Sequence, residues 1–451
     1  MKAWLRRKLP RSWLLLYHRL VAWLAAVYFW FPANRIVVIG VTGTKGKTTV
    51  CNLIAALIGE TSCKVGMATT ANFKIGKKEW INDKKQTMLG RFQLQGLLWE
   101  MVGAGCKVAV IETSSEGIAQ CRHSEINYDV VVFTNLTPEH IESHGSFEEY
   151  KKAKGRLFSH LTTCQRKRNA GKVIPKKIVV NADDKYAKYF LSFEADEKLT
   201  YGIDSQADIM ASDIITSKQG IEFKVNCIDK DLQFKIKGIQ FTSPLLGRFN
   251  AYNLIASIAS CRALGLPVAE MPAVIKKIKG IPGRMELVNA GQDFTVVVDY
   301  AHEPHSFEKV LRTLIDLYKA EGSKLIVVTG SCGGGRDIKR QPIMGKLAAQ
   351  YADYVIATNE DPYDDLPQAI IDRVAQGAQE AGQVLGKNLF KILDRREGIK
   401  KAFELANAGD VVLIAGKGSE PVMAVANGQH VPWDDRQVSR ELLQEIIKDK
   451  R

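Results

Sequence analysis

Short runs of β-branched residues recur along this chain, separated by stretches with helical spacing. RIVVIGV at 35–41, KVAVIE at 107–112, DVVVFTN at 129–135 and KKIVVNAD at 176–183 read as strands buried on both faces, because apolar positions follow one another without alternation. Helices are predicted between them at 48–59, 90–103 and 146–160. Strands alternating with helices predict an α/β fold with a mostly parallel sheet. From about 204 to 243 the texture changes to short alternating strands with turn signals (ADIMASDIITSKQGIEFKVNCIDKDLQFKIKGIQF), which predicts a small antiparallel addition. GRFNAYNLIASIASCRALG then opens a helix, and the Pro-Gly pair of IPGR at 281–284 marks a boundary. Beyond it FTVVVDYAH, KLIVVTGSCGG, YADYVIATNED and DVVLIAGKG repeat the strand pattern, so a second, Rossmann-like α/β domain is expected.

The 451 residues exceed what one hydrophobic core usually supports, and the pattern divides them into three. An apolar, basic segment occupies 1–34, the first α/β domain 35–283 and the second 284–451. In the first segment the run from Trp13 to Phe31 is interrupted only by His18 and Arg19, and Lys2, Arg6, Arg7, Lys8 and Arg11 precede it. Crossing a bilayer with those charges inside would export the strand that follows near Ile36, so neither a span nor a cleaved leader is expected. The segment reads either as an interfacial helix on an anionic membrane surface, which suits its Trp, Tyr and Phe, or as a helix packed on the protein body or a partner subunit. The formal charge of +14 suits an anionic substrate, and no nucleic-acid motif accompanies it, so no nucleic acid is expected. Eight cysteines without a close C-x-x-C pair argue against a zinc cluster or disulfide framework and for a reducing cytoplasm.

The chemistry gathers at strand ends. GVTGTKGKTT at 40–49 follows the first strand and opens the first helix, with Val41 where the strict P-loop spacing wants glycine. Gly43 and Gly46 permit a tight turn around phosphates, with Thr44, Lys45 and Thr49 in the same loop. Lys47 can reach the outer phosphates and the Thr48 hydroxyl can ligate magnesium. Glu112 ends the second apolar strand as a natural magnesium ligand, and the alternative is a solvated strand end. Asn135 closes the next, followed by Glu139 and His140, whose adjacency near a nucleotide favours metal work over a loop role. Lys154 in YKKAKGRLF stays ambiguous from chemistry alone, since most helical lysines face water. In the second half Asp299 and His302, the glycine turn 333–335 with Arg336, Glu360 with Asp361, and GKGSE at 416–420 form four polar strand ends, which together suggest a substrate face.

These motifs carry a family likeness. TGTKGKTT, ETSSEG, VFTNLTPEHIESHGSFEEYKKAKGRLF, LLGRFNAYN, IPGRME, VDYAHEP, SCGGGRD and GKGSE occur in order over about 36–440 and resemble the Mur ligases, the ATP-dependent amino-acid ligases of peptidoglycan synthesis. The likeness is greatest to members adding the third stem-peptide residue. It implies that Lys47 and Thr48 hold ATP phosphates and Mg2+, that Glu112 and His140 bind metal, and that Lys154 is carboxylated to serve a second Mg2+. Asn135 and Asn250 are implied ATP contacts, Arg284 and Asp299 nucleotide-sugar contacts, and Arg336, Glu360, Asp361, Tyr363, Gly416 and Glu420 substrate contacts. The implied reaction activates an acceptor carboxylate, of muramyl-peptide type, as an acyl phosphate, which a free amino acid then attacks.

The departures are as informative. Members of this kind carry a front domain for the uridine nucleotide, and only about 35 apolar residues precede the first strand here. Where diaminopimelate-adding members have Asp-Asn-Pro-Arg, this chain has Glu360, Asp361, Pro362 and Tyr363, which removes the guanidinium that would pair with a distal carboxylate. Glu116 and Ser419 stand where relatives often have His. The alternatives are a lipid-linked precursor amidating subunit, a folylpolyglutamate or cyanophycin type of ligase and, from another class, a non-enzymatic nucleotide-binding scaffold.

Overall fold

β1 (Val37–Thr42) runs parallel to a neighbour on each side, and that central position organises the first half of the protein. The computed structural model describes residues 11–138, 144–169, 171–228, 235–335 and 338–449. Its chain separates into two compact units. The first runs to Ile278 apart from Thr216–Gly220 and Leu245–Gly247, which group with the second, from Lys279 onward.

The first unit is built on an 11-stranded sheet. Its other strands are β2 (Val65–Ala68), β3 (Asn72–Ile75), β4 (Lys78–Ile81), β5 (Val108–Glu112), β6 (Val130–Phe133), β7 (Lys177–Asn181), β8 (Glu197–Gly202), β9 (Ile209–Ser217), β10 (Gly220–Ile228) and β11 (Lys235–Ser243). Their order is β11-β10-β9-β8-β7-β6-β1-β5-β2-β3-β4. Every pairing from β2 through β9 is parallel, and β2–β3, β3–β4 and β10–β11 are antiparallel. The alternating stretch near 204–243 is therefore not a separate sheet but the far end of the main one.

Helices fix the residues at the carboxyl ends of these strands. α1 (Arg11–Tyr28) precedes the sheet, α2 (Lys47–Gly59) follows β1 directly, and α3 (Arg91–Gly103) leads to β5. α4 (Phe147–Thr163) begins with a cap, the Ser146 hydroxyl accepting from the Glu149 amide at 3.2 Å, and Glu148 and Glu149 complement the positive end of its dipole. Its buried stripe runs Tyr150, Ala153, Lys154, Leu157, Phe158 and Leu161, so a lysine occupies a core position of an otherwise apolar face. α5 (Phe249–Ala263) packs on α2. α1 is also packed on this unit, against α3, and Phe29 just beyond it closes over Gly96. Among the described residues no helix is long and apolar enough to cross a membrane.

The second unit has a six-stranded sheet of β12 (Glu286–Val288), β13 (Thr295–Asp299), β14 (Leu325–Thr329), β15 (Tyr354–Thr358), β16 (Leu389–Ile392) and β17 (Val411–Ala415). The order is β12-β13-β17-β14-β15-β16, parallel except for β12. Val296, Val298, Ile326, Val328, Ile356 and Ile414 form one side of its core, closed by Leu442 and Leu443 of the last helix.

Candidate active site

The loop after β1 is shaped by two glycines that no other residue could replace without rearrangement. Gly46 sits at φ 82°, ψ −10° as the cap of α2, and a Cβ there would lie 2.2 Å from Asn253 Oδ1. A Cβ on Gly43 would lie 1.9 Å from Thr134 Oγ1. Neighbouring segments therefore grip the loop closely from two sides. Asn135 accepts from the Lys45 amide at 2.9 Å through its side chain and from the Thr44 amide at 2.8 Å through its carbonyl, while its Nδ2 donates to Lys45 O at 3.1 Å. On the other side Asn253 Nδ2 donates to Asn250 Oδ1 at 2.7 Å, both side chains being buried. Sequence reading singled out Asn135 and Asn250 but not Asn253. The second asparagine of FNAYN, one helical turn on, was its signal.

Three predicted metal-site residues converge on this loop. Thr48 Oγ1 donates to Glu112 Oε2 at 2.8 Å, and the Thr70 amide donates to the same oxygen at 2.8 Å. Lys154 Nζ, fully buried, donates to Gly43 O at 2.7 Å and lies 4.5 Å from the centroid of the Tyr150 ring. The Tyr150 hydroxyl in turn shares a 3.0 Å hydrogen bond with Thr44 Oγ1, a role the sequence did not announce. Lys47 Nζ folds back onto Thr44 O at 2.8 Å. His140 lies outside the described residues, and so does Arg336. Among the described residues no three His, Cys, Asp or Glu side chains form a metal cage. A hydroxyl beside one carboxylate, under a phosphate loop, instead fits magnesium, which takes few protein ligands and completes its shell with water and phosphate oxygens. The helix N-terminus and the tight turn set by Gly43 and Gly46 fit the phosphates themselves.

The second unit gathers its own cluster. Lys417, completely buried, donates to Asp361 Oδ1 at 3.0 Å and Glu420 Oε2 at 2.9 Å. Burial alone would lower its pKa, but Glu420 and then Asp361 outweigh that and raise it, so it stays protonated. Glu360 is buried too, and among the described residues its Oε2 has no hydrogen-bond partner, while Cys332 Sγ donates to Oε1 at 3.3 Å. Burial raises the Glu360 pKa, with Asp361 adding and Arg395 opposing. The backbone of Gly416 passes so close that a Cβ there would be 2.4 Å from Glu360 Oε2. Tyr363 has a positive φ of 52° and lies against Gly334 of the glycine turn. Glu360, Asp361, Tyr363, Gly416 and Glu420 are thus one neighbourhood, and the missed residue in it is Lys417.

Arg284 and Asp299 hold a turn beside this cluster. Asp299 accepts from the amides of Met285 at 2.6 Å and Ala301 at 2.7 Å, and the Arg284 guanidinium stacks on the Tyr300 ring at 4.2 Å. The Tyr300 hydroxyl donates to Glu420 at 3.3 Å. His302 Nδ1 lies 2.8 Å from Tyr300 O.

Residues 41–261 match the Mur ligase middle domain, and 283–418 match the Mur ligase glutamate ligase domain. A UDP-N-acetylmuramyl-tripeptide synthetase of Roseiflexus sp. (strain RS-1) is 36% identical over 428 residues, covering 94% of this chain and 81% of that protein. This chain belongs to the Mur ligase family. A UDP-N-acetylmuramoyl-L-alanyl-D-glutamate–2,6-diaminopimelate ligase of Bacillus cereus is also 36% identical, over 94% of this chain and 82% of its own length. A solved structure bearing that same enzyme description superposes with a TM-score of 0.61 at 31% identity, covering 91% of this chain and 79% of the other. A folylpolyglutamate synthase of Mycobacterium tuberculosis shares the fold at TM-score 0.66, with 18% identity over 87% of this chain and 91% of the other. Within the Mur ligases the chain is of the third-residue-adding type, an ATP-dependent acid–amino-acid ligase that uses a nucleotide and a metal ion.

Proposed function

We propose that this ligase joins a free amino acid to the carboxylate of a muramyl-peptide acceptor, with its first unit holding ATP and its second reading the amino acid. The observation that carries the reading is the convergence of Thr48, Glu112 and Lys154 on the phosphate loop. Gly43 to Thr49 cradle the phosphates, and Lys47 swings from Thr44 O to offset the charge that builds as the γ-phosphoryl group moves to the acceptor. Thr48 and Glu112, with His140 as a further ligand, would hold a magnesium ion, which would supply positive charge against the phosphates. Deprotonated Lys154 Nζ would add to dissolved carbon dioxide and release a proton, and the resulting carbamate would turn a buried donor into an anionic group able to hold a second magnesium ion. Asn135 and Asn250 keep the loop in register for the nucleotide.

In the second unit Glu360, Asp361, Gly416 and Glu420, with Arg336, receive the amino acid. The curated relatives named for diaminopimelate act on a donor with a distal carboxylate. Here Tyr363 stands at the position of the guanidinium that would bind it, and the neighbouring side chains are mainly acidic. The donor is therefore an amino acid without that carboxylate, lysine being the leading candidate. Residues 1–31 offer contact with an anionic membrane surface or a partner subunit.

The test is phosphate release by the purified protein with ATP, muramyl-peptide acceptors and a panel of amino acids. Release that requires acceptor and amino acid together is expected. Turnover supported by a folate-type acceptor and not by any muramyl peptide would replace this reading with the folylpolyglutamate one.

A further inference from the structure

α1 is apolar nearly all the way round, yet it buries its small residues and exposes its large ones. The side facing the protein is made of His18, Ala22, Ala25 and Ala26, a stripe at helical spacing. The opposite side carries Trp13, Leu16, Leu20, Trp23, Leu24 and Tyr28, with Trp13 65% and Tyr28 70% exposed. The patch does not stop at the helix. Trp30 follows it at 74% exposure, and Phe92 and Trp99 of α3 extend it, Phe92 beside Tyr28 at 6.2 Å and Trp99 beside Phe29 at 6.4 Å between ring centroids.

A soluble surface seldom carries so continuous an apolar face without something to cover it. Alanines on the inside let the helix lie close to the body, so the large side chains outside are not left over from poor packing. Their chemistry selects the occupant. Tryptophan and tyrosine favour the boundary between headgroups and acyl chains, and a helix with leucines among them lies in that plane. Lys2, Arg6, Arg7, Lys8 and Arg11 lead into the helix, and exposed Arg19 sits on it, which complements negative headgroups. This basic approach matches an anionic headgroup layer over acyl chains more closely than a second copy of the same chain, which carries a formal charge of +14 itself. We propose that this face is a docking surface for an anionic lipid bilayer, entered from one side by α1 and α3 without crossing it. The inference stands on the face itself and not on the ligase chemistry.

The full chain is mixed with sedimentable vesicles of phosphatidylcholine containing about a third phosphatidylglycerol, and with vesicles of phosphatidylcholine alone. Co-sedimentation with the anionic vesicles is expected, with a blue shift of tryptophan fluorescence. Binding should weaken at least tenfold on neutral vesicles and in high salt. The variant Leu16→Ser/Leu20→Ser/Leu24→Ser changes only exposed positions, so it should keep the parent melting temperature and lose binding by more than a hundredfold. A parent that stays in the supernatant with anionic vesicles overturns the proposal. So does a concentration-dependent dimer, seen by sedimentation velocity, that the same three substitutions abolish while vesicle binding is unchanged.

Discussion

Gly46→Ala is the sharpest probe of how the nucleotide loop is built. The substitution forces alanine into the left-handed region, at φ 82°, which costs about 1–2 kcal/mol. Its methyl group would lie 2.2 Å from Asn253 Oδ1, so that side chain must move by more than an ångström. Asn253 cannot move without breaking its 2.7 Å bond to buried Asn250, a loss of about 1–3 kcal/mol. Together these give about 2–5 kcal/mol against the loop's native shape. Gly105→Ala is the control, because φ there is +78° and nothing lies within 4 Å of its added Cβ, so only the torsional cost remains. Urea unfolding followed by a probe in the first unit should show Gly46→Ala exceeding the control by about 1–3 kcal/mol. ATP affinity by calorimetry should fall by about tenfold or more, the equivalent of 1.4 kcal/mol. Adding Asn253→Ala should restore part of the stability lost by Gly46→Ala, a coupling that distant sites do not show. Equal losses in Gly46→Ala and Gly105→Ala, with no recovery in the double variant, would mean the loop is not gripped as described.

Three further outcomes are expected. Lys154→Ala should lower ligation by about a hundredfold or more while far-UV circular dichroism stays unchanged, and added bicarbonate should raise only the parent's rate; near-normal turnover by the variant removes this lysine from the chemistry. In competition at equal concentrations lysine should be used in preference to meso-diaminopimelate, and a preference for the latter would show that Tyr363 does not set the choice. Glu360 has a folded-state pKa raised by burial, so its contribution to stability is complete below the ordinary glutamate range and is lost as pH climbs through the raised value. Glu360→Gln should therefore match the parent in urea near pH 4 and become the more stable of the two toward pH 8; a gap of the opposite sign, or none, contradicts the burial argument.

The strands that position the site were legible because parallel strands buried on both faces leave uninterrupted β-branched runs. VVIGVT, VAVIE and VVVF are such runs, and each lies within a few residues of its expected place. The short strands VGMA, NFKI and KEWI toward one margin of the sheet were not, because lysine, glycine and glutamate at four-residue length carry no periodic signal and pairing alone makes them strands. Lys154 betrayed itself only in part. Its place four residues after Tyr150 and three before Leu157 puts it on an apolar stripe, although its motif is rich in lysines that do face water. The clasp of Asn135 on Lys45 spans 90 positions, and no local pattern reports a contact so distant in sequence. Lys417 was hidden for another reason. It was read only as an unremarked position within GKGSE, a polar strand end, whereas its ammonium lies between Asp361 and Glu420, carboxylates from separate segments. In α1 the apolar character was plain, but which side faces inward depends on residue size, not polarity.

The central position of β1 bears on how this enzyme breathes. β1 is paired along its length on both edges, by β5 and β6, and those strands are themselves paired outward. Its amides can exchange with solvent only when the middle of the sheet comes apart, so they belong to the slowest cooperative unit of this half. β3 and β4, at one margin and four residues each, can open on their own. A phosphate loop hung from the last strand to yield has a fixed root. Closing on a nucleotide is then left to side chains such as Lys47, while the rim around the site loosens and re-forms on a faster clock.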